Sequence, residues 1–310
     1  MRRRLTAVLA PLLLLALSAC GGGDDPLSDG GNGGGDGGGD SSSVVIGSAN
    51  FPESELLAEI YAQALEAAGV TVERQFNIGA RELYLRALED GSIDLLPEYN
   101  GALLSNLSPD GAPEGVTTSE DVYEAMVEVL PDGIIALEQA EAEDKDTLSV
   151  TQETAAEFDL TTIDDLAPVA GELSVAAGPE FAERFQGLIG LEEVYGITFG
   201  EFVPLDPGGP LTLEALLSGQ VDVANIFSTD SAIATEDLVV LEDTQNLYLA
   251  ENIVPIIREE VSNDTIETAL NAVSAVLTTE NLTASLAQVT VDKMSSADVA
   301  EQFLADNGLG

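Results

Sequence analysis

From Val44 onward the apolar positions alternate between two rhythms. Val44-Val45-Ile46 is a short apolar run, broken by Gly47-Ser48-Ala49-Asn50. From Pro52 the spacing turns helical: Leu56, Leu57, Ile60, Ala64 and Leu65 share one face, and Gly69 ends the pattern. Pro52 suits a first helical turn, and Glu53 and Glu55 suit its positive end. Thr71 to Ile78 reads as a strand, and Gly79 opens a second helix through Leu83, Leu85 and Leu88 that Gly91 closes. Ile93 to Leu96 is a third strand with Pro97-Glu98-Tyr99-Asn100 as its exit loop, and Ala102 to Leu107 begins another helix. This βαβαβ order predicts a parallel sheet with helices on both faces.

The unit then repeats. Leu148-Ser149-Val150, Leu173 to Ala177, Gly200 to Leu205, Val221 to Ile226 and Val239-Val240-Leu241 read as strands, with a helix over Leu211 to Leu217. Asn252 to Ile257 reads as a returning strand, and Thr265–Leu277, Asn281–Ala287 and Ala297–Ala305 form a helical tail. Two α/β lobes predict a crevice at the carboxyl ends of their parallel strands, where such sheets bind ligands. Ser48-Ala49-Asn50-Phe51, Glu98-Tyr99-Asn100, Gly178-Pro179 and Phe227-Ser228-Thr229-Asp230 belong there. Ser48, Asn50, Ser228, Thr229 and Asp230 suit ligand contact and also helix caps and turns. Tyr61, Tyr84, Tyr123 and Tyr195 sit in helical patterns and are assigned to packing.

The N-terminus changes the picture of where this body works. Arg2, Arg3 and Arg4 precede an apolar run from Leu5 to Leu17, which is too short to span a bilayer. It ends in Leu17-Ser18-Ala19-Cys20, and Cys20 is the single cysteine of the chain. This site resembles a bacterial lipobox, with residues 1–20 as signal and Cys20 as a lipid-modified start. Residues 21–43, almost entirely Gly, Asp and Ser, form a charged tether with nothing to bury. The expected location is the extracytoplasmic face of a membrane.

Charge and composition narrow the chemistry. The formal charge is −46, and loss of the three leader arginines takes it to about −49. Only Arg74, Arg81, Arg86, Lys145, Arg184, Arg258 and Lys293 remain positive, so no basic face awaits a nucleic acid. Such acidity fits either a high-salt habitat or a general acidic bias. Histidine and tryptophan are absent. That removes His-based triads, Cys nucleophiles and the usual zinc sites, and no metal or cofactor is expected. Paired carboxylates could still hydrolyse a substrate, but binding without turnover is the favoured class.

Four segments and the ending carry a resemblance to a known family. They are Ile46-Gly47-Ser48-Ala49-Asn50-Phe51-Pro52-Glu53, the run Asp90 to Gly101 that contains Leu95-Leu96-Pro97-Glu98-Tyr99-Asn100, Gly219 to Asp230, Asp237 to Asp243, and Phe303 to Gly308. Together they resemble the substrate-binding proteins of ABC importers for glycine betaine, choline and related osmolytes. The resemblance implies a two-lobed α/β periplasmic-binding-protein fold of type II-like form, with two hinge crossovers beside a ligand cleft. One lobe would hold residues 44–146 and 249–310, the other 147–248. It also implies a permease as partner, a monomer, and an aromatic cage for a quaternary ammonium group. Tyr99 matches a cage position, with Phe51 as a second wall and Phe181 as a third. Leu205 and Glu251 stand where further aromatics would be sought. Asn100 belongs to the same motif as Tyr99. Arg81 could clamp a substrate carboxylate, as for an amino acid derivative, or neutralise Glu82 or Asp94.

Overall fold

The computed structural model describes residues 43–108, 113 and 115–310; the leader, Cys20 and nearly all of the tether lie outside them. The first sheet contains β1 (Val44–Ala49), β2 (Val72–Gly79), β3 (Leu95–Tyr99), β4 (Ile134–Ala136) and β10 (Ile253–Arg258), in the order β2-β1-β3-β10-β4. The second contains β5 (Asp146–Val150), β6 (Ser174–Ala177), β7 (Glu201–Pro204), β8 (Val223–Phe227) and β9 (Val239–Val240), in the order β7-β6-β8-β5-β9. The predicted parallel pairs are present: β1 with β2 and β3, and β6 with β7 and β8. Both sheets are nevertheless mixed. β10 runs antiparallel to β3 and β4, and β5 runs antiparallel to β8 and β9. Each antiparallel strand follows a crossover that brings the chain back from the other sheet, a non-local pairing that local periodicity does not encode.

The third strand corrects the predicted exit loop. β3 continues through Pro97, Glu98 and Tyr99 and is buried along its length. Proline is poorly suited to an interior strand because it gives no N–H to the ladder. Here β1 pairs with β3 at Ile46↔Leu95 alone, and Pro97 stands opposite Pro255 of β10. The Pro255 carbonyl accepts from the Leu137 N–H on the far side, so this is a non-hydrogen-bonded pair in which neither ring is asked for an N–H by the other strand.

Hydrophobic cores cover both faces of each sheet. In the first, helix α1 (Pro52–Ala67) packs with the C-terminal helices Asp264–Val276, Thr279–Thr290 and Ser296–Asp306 on one face. Its Leu56, Leu57, Ile60, Tyr61 and Leu65 are wholly buried, as expected of a helix that is apolar nearly all round. Helices α2 (Arg81–Glu89) and α3 (Asn100–Leu107) cover the other face with Leu85, Leu88, Leu103 and Leu104. The second sheet is likewise packed on both faces.

The chain passes between the sheets twice, and the two passages lie side by side. Ala142 accepts from the Ile253 N–H, and the Asp144 N–H donates to the Glu251 carbonyl. Asn100 fastens this pair to the first sheet: its Oδ1 accepts from the Asn252 N–H at 2.8 Å, and its Nδ2 donates to Gln139. Gly101 lets α3 approach closely, because a Cβ there would collide with the Ala250 carbonyl oxygen. No helix among the described residues is long and apolar enough to cross a membrane.

Candidate functional site

The carboxyl ends of β1, β2, β3, β6, β7 and β8 converge on one cavity. Its lining runs from Asn50, Phe51, Arg81, Tyr84 and Tyr99 on the first sheet's side to Glu180, Phe181, Arg184, Asn225 and Phe227 on the second's. Asp144 and Glu251 come from the two passages between the sheets. The empty space, mouth included, is about 730 Å³.

One end is aromatic. Phe51 follows β1, Tyr99 ends β3 and Phe227 ends β8, so three strand ends deliver three rings. The Phe51 ring lies 6.0 Å from that of Tyr99 and 5.2 Å from that of Phe227, tilted by 34° and 49°. Gly208 backs the Phe227 ring at φ +55°, where a Cβ would strike it. The Tyr99 hydroxyl donates to Glu53 Oε1 at 2.7 Å.

At the other end the arginines already have partners. Arg81 donates through Nε to Glu98 Oε1 at 2.8 Å and through Nη2 to Oε2 at 3.0 Å. The Tyr84 hydroxyl and the Tyr99 N–H complete the set around Glu98, which is fully buried. Burial opposes the charge on Arg81, but the Glu98 carboxylate holds its pKa well above the ordinary value. Glu98 is therefore its partner; of the two acids weighed from sequence, Glu82 pairs with Arg184 and Asp94 with Arg258. The Arg184–Glu82 bridge joins a residue of the second sheet's side to α2 across the cavity mouth.

Three further carboxyls have no cation. No ion pair among the described residues includes Asp144, Asp146 or Glu251. Burial, then Asp146, push Glu251 up to about 8. Burial raises Asp146, and burial with Glu53 alongside raises Asp144 well above the carboxylate range. Neutral donors partly offset the burial: Ala102 N–H and Gln186 Nε2 on Glu251, Asn225 Nδ2 on Asp146, and Thr229 N–H on Asp144. Burial thus favours the protonated forms of these carboxyls, and the charges of Arg81 on Glu251 and of Arg184 and Arg81 on Asp146 only partly oppose it.

Of the residues singled out from sequence, Asn50, Phe51, Arg81, Tyr99 and Phe181 line this cavity. Ser48, Asn100, Ser228, Thr229 and Asp230 lie behind or beside it. Ser48 Oγ accepts from the Asn77 N–H, Ser228 Oγ from the Lys145 N–H, and Asp230 from the Ala232 N–H. Leu205 is not in the lining, whereas Glu251 is. Tyr84, assigned to packing, also lines the cavity. Phe227 was read only as the first residue of an exit loop; it is the last residue of β8, and its ring faces inward. Asp144 and Asp146 had no signal in a chain with 56 acids.

Residues 42–306 match the family model for OpuAC, the substrate binding domain of ABC-type glycine betaine transport systems. The chain is 28% identical over 279 residues to the glycine betaine-binding protein YehZ of Escherichia coli (strain K12), covering 86% of this chain and 90% of that one. It is 26% identical over 277 residues to a glycine-betaine-binding protein of Pseudomonas aeruginosa, with coverages of 85% and 88%. Its fold is similar to the crystal structure of a glycine betaine/carnitine/choline ABC transporter component, with a TM-score of 0.67 at 23% identity and coverages of 86% and 99%.

Proposed function

This chain belongs to the OpuAC family of substrate-binding domains of ABC importers, and from that premise we propose that its cavity captures a small quaternary ammonium osmolyte such as choline or glycine betaine. The observation that carries the reading is the convergence of the Phe51, Tyr99 and Phe227 rings at one end of a cavity lined by unpaired carboxyls. Ring faces attract a trimethylammonium group by roughly 0.5–2 kcal/mol each, most when desolvated. Asp144 and its neighbours add the field of buried carboxyls. For a zwitterion, Arg81 Nη1 is the donor left over from the Glu98 bridge and can receive the ligand carboxylate.

In this reading the ligand is delivered unchanged to a permease by a monomer. The units are residues 44–146 with 249–310, and residues 147–248, turning about the paired passages. Cys20 carries the lipid, and residues 21–43 give it reach. Lipidation predicts that the wild type partitions with membranes and that Cys20→Ser does not; equal partition of both removes the anchor. The ligand reading is tested by calorimetric titration with choline, glycine betaine, carnitine and, as a control lacking a quaternary nitrogen, glycine. Saturable binding of a quaternary compound and none of glycine is expected. Failure of all three quaternary compounds to bind overturns it.

A further inference from the structure

Glu53 is almost fully buried, at 2% exposure, yet it does not line the ligand cavity. It is the second residue of α1, whose first-turn N–H groups favour a carboxylate. One of its oxygens accepts from the Tyr99 hydroxyl at 2.7 Å, and the other accepts from the Thr229 hydroxyl at 2.5 Å. Asp144, on the passage between the sheets, accepts from the N–H of the same Thr229 at 3.0 Å.

These contacts hold one ring directly and the chain beside the other two. Phe51 lies two residues before Glu53 along the chain. Tyr99 is tied to it by its own hydroxyl. Phe227 lies two residues before Thr229, on the second sheet. Resting on the cation-binding reading above, we infer that Glu53 is the positioning residue of the aromatic end, fixing rings from both sheets against one buried carboxylate so that assembling the cage and bringing the sheets together are a single event. A ring 1 Å out of place loses much of its contact with a trimethylammonium group, because both dispersion and the ring field fall steeply with distance. Glu53 therefore governs selectivity for a full trimethyl headgroup as well as affinity.

The test compares wild type, Glu53→Gln, Thr229→Val and the double variant by calorimetry. The probes are glycine betaine and dimethylglycine, which differ by one N-methyl group, together with choline. Glu53→Gln keeps the volume of the side chain but replaces one of the two oxygens that the hydroxyls address with an amide donor. Its affinity for glycine betaine and choline should fall at least tenfold, and the ratio of glycine betaine to dimethylglycine affinity should fall towards one. Thr229→Val should move both quantities the same way by less. The double variant should bind no worse than Glu53→Gln alone, because both changes act on one linkage. A structural role alone would lower the melting temperature of Glu53→Gln and leave the selectivity ratio unchanged; that result overturns the inference while leaving the ligand reading intact. Additive losses in the double variant overturn it as well. If wild type binds neither quaternary compound, the ligand reading fails and this inference fails with it.

Discussion

The two ends of the cavity hold charge in opposite ways. At the inner charged end Arg81 and Glu98 satisfy each other: the carboxylate is fully buried and accepts from Arg81, Tyr84 and the Tyr99 backbone. Towards the passages between the sheets, Asp144 and Glu251 are buried and Asp146 half-buried, and all three hydrogen-bond only to neutral partners. A closed ion pair is a structural element, and its loss is a loss of stability. Unmatched carboxyls are held towards their neutral forms by burial, and a cation brought beside them would favour their ionisation. The contrast separates residues that hold the site from residues that wait for its occupant.

The largest effect should come from opening the closed pair. Arg81→Ala leaves the fully buried Glu98 with no cation, a change worth about 3–5 kcal/mol. The melting temperature should fall by on the order of 10 °C. An unchanged melting temperature would erase the distinction between the two ends. Next come the rings: Tyr99→Ala or Phe227→Ala should weaken quaternary ammonium binding by more than the tenfold that about 1.4 kcal/mol represents. Their melting temperatures should drop less than that of Arg81→Ala. Equal binding by wild type and both variants would place the ligand elsewhere.

A smaller effect sharpens the unmatched end. Glu251 is ordinarily half-protonated near pH 4.5 but stands at about 8 in the fold. Between those values the folded chain keeps a proton that the unfolded chain has lost, so this group makes stability fall as pH rises through the window. A bound cation favours the ionised form, so choline affinity should climb several-fold from pH 6.5 to 8.5. In Glu251→Gln both slopes should flatten; slopes that persist would assign them to other groups. The smallest effect belongs to Arg184–Glu82, which is partly exposed at the mouth. Arg184→Ala should change stability by about 0–1 kcal/mol, far less than Arg81→Ala, when both are followed by urea denaturation.

The fold was legible where local pattern sufficed. The apolar face of α1, the glycines that end helices and the parallel strand order of both halves follow from spacing alone. What escaped was set by distant chain. β3 extends through Pro97 because β10, far along the sequence, pairs with it up to Tyr99. Arg81 found Glu98, which the mistaken exit loop had placed outside the strand. Phe51 and Tyr99 were readable because motifs surround them. Phe227 was placed in the crevice but not named as a ring of the site, because the polar run after it ended the strand one residue early, at Ile226. Asp144 and Asp146 were hidden by abundance: in so acidic a chain burial separates a site acid from a surface one, and burial is a property of the fold.

The paired passages between the sheets have a mechanical consequence. They are the two covalent links between the sheets, and hydrogen bonds hold them together as one narrow ribbon. Any swing of one sheet against the other pivots on that ribbon, and points on a pivot travel least while distant points sweep an arc. Asp144 and Glu251 stand on the ribbon; Arg184 and Glu82 stand at the rim. On the proposed hinge reading, Asp144 and Glu251 would keep their spacing through such a swing, whereas the Arg184–Glu82 bridge would break.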